Sequence, residues 1–394
     1  MQDFGDICTK VRFLVFITMK KNIGIVSYNI NCNFTNYGSA LQSWALGQAI
    51  DRLGEELGVQ SKLIDYCPAV LEDCDVLHPF KRMWDTDEQS KRMVELTMPA
   101  IRENYEKFER FYSEQFRRTK KKYHDNDFDS VVDEEDISSF VCGSDTIFCI
   151  DEFKGFVEGY WANFNCMRGN AAAYAPSFGD PHFQPQDYET LDKRLKNFCA
   201  IGLREQQMLS YVRSHTDVPV QRVVDPTLLL QKDDYKVITP SRLVEGDYLL
   251  LYSRRYNKAM EDFAIKMAQE KNLKIVEISL RATNVDRGHI MMYNAGVEEF
   301  LSLIKYSQCV VTNSFHGMIM SVQFEKLFYA FSREQCDNKV IELLQLMGLS
   351  DRLLVTGKES VKDRIDYEQV HSCIEIYRTE SLGYLKTALK IIKE

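Results

Sequence analysis

The chain lacks any apolar run long enough to cross a bilayer. Near its start, Phe13-Leu14-Val15-Phe16-Ile17 follows Lys10 and Arg12 but is too short, and Lys20-Lys21 come next with no small-residue cleavage site. The expected reading is a natural start at Met19, with the first 18 residues an upstream extension of little consequence. The 11 cysteines are scattered, without a C-x-x-C pair or a Cys/His cluster at zinc spacing. That excludes a disulfide framework and predicts reduced thiols in a cytosolic protein, most of them small core residues. Positive charge is also short. Lys+Arg number 49 against 58 Asp+Glu, a net charge of -9, which argues against a nucleic-acid partner. An anionic substrate would therefore need Arg or Lys gathered locally. No G-x-G-x-x-G or Walker loop occurs, which argues against a dinucleotide or ATP site. No carboxylate spacing dictates a metal, and no basic amphipathic helix marks a membrane surface.

What is present is an ordinary globular composition, 45% hydrophobic and 27% charged, over 394 residues, enough for two cores. Short apolar runs alternate with helical patterns, which predicts βα units and mainly parallel sheets. A first domain is expected over 19–235, with a charged helical insertion at about 68–122. Its apolar stripe includes Trp84, Met93, Leu96, Ile101, Tyr105, Phe108 and Phe111. The acidic stretch Asp125–Asp136 reads as a solvated loop. A polar stretch with Pro240, Gln231–Gly246, marks the boundary. A second βα series is expected over 240–356. Its elements are strands at Tyr248–Tyr252, Lys274–Ile278, Cys309–Val311 and Leu327–Phe331, and helices at Lys258–Glu270 and Val297–Lys305. The helical segment 357–394 carries Ile374, Leu382, Leu385 and Leu389 on one stripe and could pack back on the first domain.

Polar turns follow nearly every apolar strand. In parallel sheets these are carboxyl ends, where open α/β proteins place their chemistry. Two such sheets facing each other would gather Asn36–Ser39, Ser144-Asp145, Ser177, Arg204 and His316 around one cleft. His316 sits in Thr312-Asn313-Ser314-Phe315-His316-Gly317, between strand Cys309–Val311 and the helical run from Met318. An isolated His there could simply cap the helix. In this turn it is equally suited to proton transfer, since free imidazole titrates at about 6.5. The adjacent helix N-terminus offers N–H groups to an anion. Arg204 follows strand Cys199–Gly202 and is expected to open a helix, where it can fork onto a carboxylate or phosphate, or merely make a surface ion pair. Arg254-Arg255 holds the corresponding place after Tyr248–Tyr252, as a solvated pair or an anion clamp. In Asn36-Tyr37-Gly38-Ser39, Gly38 permits close backbone approach and Ser39 is the expected N-cap. Asp145 and Asp225 are candidate carboxylates, the latter also a turn former before Pro226.

Six segments in order resemble the polysaccharide pyruvyl transferase family, over about Lys20 to Leu354. They are Asn36-Tyr37-Gly38-Ser39-Ala40-Leu41-Gln42, Gly143-Ser144-Asp145, Tyr174-Ala175-Pro176-Ser177-Phe178-Gly179, Gly202-Leu203-Arg204-Glu205, Asp225-Pro226-Thr227 and Thr312-Asn313-Ser314-Phe315-His316-Gly317. Two departures stand out. After Gly143-Ser144-Asp145 the family commonly has Gln and then Trp, whereas this chain has Thr146-Ile147-Phe148. A basic residue expected late in the second domain could be Arg333 or Lys339.

The resemblance implies two Rossmann-like domains facing across a cleft, as in GT-B glycosyltransferases. It implies transfer of the three-carbon unit of phosphoenolpyruvate, a donor substrate and not a cofactor, onto a sugar as a cyclic ketal with loss of phosphate. His316, Arg204 and Asp145 would be catalytic, with Arg204 holding the donor's anionic groups and His316 moving protons. Asn36, Tyr37, Gly38, Ser39, Ser144, Ser177, Arg254, Arg255, Asn313, Ser314, Phe315 and Gly317 would bind substrate. The acceptor would be a sugar of a cell-surface glycan precursor, including a lipid-linked one. The enzyme would be cytoplasmic, meeting the inner membrane face only through such an acceptor. Two other readings are a nucleotide-sugar glycosyltransferase of similar architecture, for which no base pocket is legible, and a non-catalytic glycan-binding relative, which predicts loss of the His or Arg.

Overall fold

A computed structural model describes residues 20–32, 34–77, 88–279, 287–333 and 337–393. The Met19 start and the preceding extension, Trp84, and the side chain of Met93 lie outside the described residues. The first half alternates β1 (Lys21–Val26), α1 (Tyr37–Leu57), β2 (Val59–Leu63), α2 (Glu88–Gln115), α3 (Val131–Glu135), β3 (Ile137–Cys142) and α4 (Ile150–Phe153). It continues with β4 (Ala171–Tyr174), α5 (Pro185–Leu195), β5 (Phe198–Leu203), α6 (Leu209–Ser214) and β6 (Val220–Arg222). These strands form a six-stranded parallel sheet in the order β2-β1-β3-β4-β5-β6.

The second half contributes β7 (Tyr248–Tyr252), α7 (Lys258–Glu270), β8 (Lys274–Ile278), β9 (Ile290–Met292), α8 (Val297–Lys305) and β10 (Cys309–Thr312). Then come α9 (Phe315–Gln323), β11 (Leu327–Phe331), α10 (Asp337–Leu346) and β12 (Leu353–Leu354). They build a second six-stranded parallel sheet, β12-β11-β10-β7-β8-β9. The central strands are buried on both faces, which is why Tyr-Leu-Leu-Leu-Tyr and Cys-Val-Val-Thr run without polar alternation. The GT-B-like pair of Rossmann-like domains implied by the sequence is the fold observed.

Strand order reverses between β1 and β3 in one sheet and between β7 and β10 in the other. In such sheets ligands bind outside the carboxyl ends at the reversal. The loops there hold Gly143-Ser144-Asp145 and, across from them, Arg254 and Asn313 to His316. The final helix, α11 (Tyr367–Lys393), lies back against the first sheet. Its Tyr384 hydroxyl donates to the Ala173 carbonyl at 2.8 Å, and its Arg378 Nε donates to the Leu228 carbonyl at 2.7 Å. The halves also meet directly. Tyr37 stacks on Phe300 with centroids 4.5 Å apart, and Gln323 Nε2 donates to the carbonyls of Thr227 at 2.7 Å and Leu230 at 2.9 Å. Among the described residues no helix is long and apolar enough to cross a membrane.

Several local expectations are corrected. Helix α1 begins at Tyr37 and is capped by Asn36, whose side chain accepts from Gly38 N at 3.1 Å, so Ser39 is not the cap. Arg204 opens no helix: it sits in a turn, and α6 starts only at Leu209. The stretch Asp125–Asp136 is no solvated loop, because Phe128 and Val131 are fully buried and Glu135 pairs with Lys62 at 2.7 Å.

Candidate active site

Asp225 is the hub. It follows β6 and caps a short 3-10 turn, its Oδ1 accepting from Thr227 N at 3.0 Å and Thr227 Oγ1 at 2.6 Å. Its Oδ2 accepts from Arg204 Nη1 at 2.7 Å and lies 3.4 Å from His316 Nε2. The latter is close enough for an ion pair but is not aligned as a hydrogen bond, which leaves Nε2 buried without a bonded partner. Burial alone would push the Asp225 carboxyl up. The His316 imidazole and the Arg204 guanidinium outweigh it and hold Asp225 well below the usual carboxylate range. His316 and Arg204 are therefore neighbours sharing one carboxylate.

Arg204 also donates from Nε to Glu205 Oε1 at 3.0 Å. Burial disfavours its charge, yet Glu205 and Asp225 more than compensate and raise its pKa. Its Nη2 is buried with no hydrogen-bond partner. Buried polar groups are rarely left so, because an unmade bond costs about 1–3 kcal/mol. The guanidinium carbon stands 5.0 Å from the Phe315 ring centroid, and Lys339 Nζ stands 5.5 Å from it. Arg204, Asp225, Phe315 and Lys339 line one open pocket with Arg222 and Glu342, which pair at 2.8 Å. Of the two basic residues that could serve here, Lys339 on α10 lines this pocket.

His316 is placed by both halves of the molecule. Ser314 caps α9 by accepting from Gly317 N at 3.2 Å, which puts His316 in the first turn. The imidazole then packs on Gly38 of α1 so closely that a Cβ there would meet its Cγ at 2.6 Å. Gly317 is needed for a separate reason, since a Cβ would lie 2.8 Å from Thr312 Oγ1.

Asp145 has φ of 71°, an uncommon left-handed conformation for a non-glycine residue. Its Oδ2 accepts from the Ser39 hydroxyl at 2.5 Å and its Oδ1 from Thr146 N at 2.9 Å. Asn313 accepts from Arg254 N and donates to the Arg255 carbonyl, both at 2.7 Å, which ties the loops at the strand-order reversal together. The Arg254 guanidinium reaches to the other half, 4.4 Å over the Phe34 ring; Arg255 is half-buried.

Three expected substrate-binding residues make hydrogen bonds within the scaffold. Ser144 is fully buried, its Oγ donating to the Ala175 carbonyl at 2.6 Å and its N–H donating to Gln42 Oε1 at 2.8 Å. Ser177 is fully buried and accepts from Gly179 N at 3.1 Å. Tyr37 spends its hydroxyl on the Ala295 carbonyl at 2.7 Å. Sequence reasoning missed Glu205, whose adjacency to Arg204 was a usable signal. It also missed Glu152 on α4, which no motif marks. Thr146 Oγ1 donates to Glu152 Oε2 at 2.7 Å. Among the described residues no three His, Cys, Asp or Glu side chains gather as a metal ion would require.

The whole-chain fold is similar to the S. aureus MnaA-UDP co-structure, at 14% identity and a TM-score of 0.50, over 94% of this chain and 91% of that one. The UDP-GlcNAc 2-epimerase of Methanocaldococcus jannaschii also matches, at 10% identity and a TM-score of 0.45, over 90% and 92%. At such identity the likeness is one of fold. No curated protein sequence matches significantly. The sequence profile described as polysaccharide pyruvyl transferase, however, matches residues 36–335, which spans Asn36, Asp145, Arg204, Asp225 and His316, and the chain belongs to that family.

Proposed function

We propose that the protein transfers the enolpyruvyl unit of phosphoenolpyruvate to two hydroxyls of a sugar in a cell-surface glycan precursor, closing a cyclic ketal and releasing phosphate. The observation that carries this reading is the Arg204 guanidinium. It is fixed on two carboxylates, yet its Nη2 has no partner, and it lines a pocket with Lys339. A donor bearing both a carboxylate and a phosphate supplies the missing acceptor atoms. Lys339 adds a second positive charge across the Phe315 ring, and the first turn of α9 adds the positive end of a helix dipole. His316, backed by Asp225, balances charge as phosphate departs. Asp145, steadied by Ser39 and Thr146, sets a carboxylate at the strand-order reversal, while Arg254, held by Asn313, adds a cation from the other half.

The test is direct. The protein is incubated with phosphoenolpyruvate and a panel of hexosides, and phosphate release and the mass gain of a pyruvate ketal are measured. Turnover with at least one acceptor is expected. No turnover with any acceptor, together with nucleoside diphosphate release from a sugar nucleotide, would overturn the reading in favour of a glycosyltransferase.

A further inference from the structure

The reaction proposed above needs a proton delivered to carbon, and His316 is poorly placed to deliver it. One ring edge lies against Gly38, and Nε2 faces Asp225. Resting on that reading, we propose that Glu152 is a second catalytic acid/base, which protonates the methylene carbon of the enolpyruvyl unit and then takes the proton of the attacking sugar hydroxyl.

Glu152 lies on α4, just beyond the loop that carries Asp145 at the strand-order reversal. Its neighbour Asp151 turns elsewhere, to His182 at 3.0 Å. Glu152 is exposed, so substrate can reach it. The Thr146 hydroxyl occupies Oε2, which leaves the proton to Oε1. Thr146 also gives its N–H to Asp145 Oδ1, so one residue orients both carboxyl groups. The charged groups that face Glu152 are Asp145 from its own half and Lys339 and Arg254 from the other half. Glu152 thus stands where the halves face each other, within electrostatic reach of the cation that shares Phe315 with Arg204. Desolvation, reinforced by the Asp145 charge, raises the Glu152 pKa despite the Thr146 hydrogen bond and the cations Lys339 and Arg254. A carboxyl kept protonated nearer neutrality is a proton donor. Asp145, with both oxygens already accepting hydrogen bonds, is not equivalent to it.

The step balances. The Oε1–H bond of Glu152 breaks, and the C2=C3 π pair forms the new C3–H bond. The electron-poor C2 is captured by a hydroxyl oxygen of the acceptor, whose proton returns to the Glu152 carboxylate. Phosphate leaves with the C2–O bonding pair. The second hydroxyl closes the ketal, and its proton departs on the phosphate.

The experiment compares wild type, Glu152→Gln and Glu152→Asp with phosphoenolpyruvate and an accepted hexoside, reading phosphate release across pH. Glu152→Gln should lower kcat about 100-fold or more, with KM for phosphoenolpyruvate changed by no more than about twofold. Glu152→Asp should recover part of the rate. Wild-type kcat should fall as pH rises through the raised Glu152 value, and that alkaline limb should vanish in Glu152→Gln. A Glu152→Gln variant with kcat within about threefold of wild type, or one that is slow but keeps the same alkaline limb, overturns the inference and leaves the pyruvyl transfer standing. Absence of wild-type turnover with every hexoside of the panel overturns both.

Discussion

Replacing Gly38 by alanine isolates the seat of His316 from everything else in the site. Gly38 lies in the first turn of α1 with an ordinary helical backbone, so the new methyl group by itself favours the helix by about 0.5–1 kcal/mol. Against this stands the imidazole. The added Cβ would lie 2.6 Å from its Cγ and 2.7 Å from its Cε1, where ordinary contact begins at 3.4 Å. The ring carbon must therefore retreat by about 0.8 Å (3.4 less 2.6), and Nδ1 by more. Overpacking of that kind costs about 1–3 kcal/mol, so the net loss of stability should be about 0–2 kcal/mol. Activity should suffer far more, since a displacement of about 1 Å at a reacting group costs roughly 100-fold. Denaturant unfolding and the rate of phosphate release from phosphoenolpyruvate measure the two effects. Gly47→Ala is the control, because the nearest atom to its Cβ is Ser61 Oγ, at 3.3 Å, and it should leave kcat unchanged. A Gly38→Ala enzyme with wild-type kcat would refute the claim that the Gly38 seat places His316 for the reaction.

Arg204→Ala removes the partner of two buried carboxylates and should cost about 3–5 kcal/mol in denaturant unfolding. Arg204→Lys keeps the charge but loses the fork, and should raise KM for phosphoenolpyruvate about tenfold or more; an unchanged KM would remove Arg204 from donor binding. Asp225 is held below the unfolded carboxylate value of about 3.9, so its stabilisation is complete above that pH and is lost as pH falls through the native value. Asp225→Asn should thus destabilise most near pH 6 and progressively less below about pH 4, and an equal cost at both in urea unfolding would contradict the ion-pair account. Tyr37→Phe should cost about 1 kcal/mol through the lost bond to Ala295, with kcat and both KM values unchanged; a raised acceptor KM would return Tyr37 to the substrate site.

How much of this was legible depends on where each residue's partners lie. Tyr248–Tyr252, Lys274–Ile278 and Leu327–Phe331 have the bounds read from the sequence, because a strand buried on both faces is an apolar run that ends where burial ends. By contrast β9, at 3 residues, and β12, at 2, are too short to carry any periodicity. Helix α10 went unread, and with it the reason to prefer Lys339 over Arg333. In the site, position was legible and partnership was not. His316 and Arg204 are marked by the ends of the strands before them, but Asp225, which joins them, also reads as a turn former before Pro226. It is in fact both, since Oδ1 holds the turn while Oδ2 holds the cluster. The same double duty resolves Arg204. An ion pair and an anion clamp look like competing fates for an arginine, yet here the ion pairs make the clamp. Two carboxylates fix Nε and Nη1, and with them the plane of the guanidinium and the direction of the Nη2 they leave unpaired. Gly38 belongs to the same class. The sequence marks a point of close approach, and only the packing of α9 against α1 shows that an imidazole, rather than substrate, makes that approach.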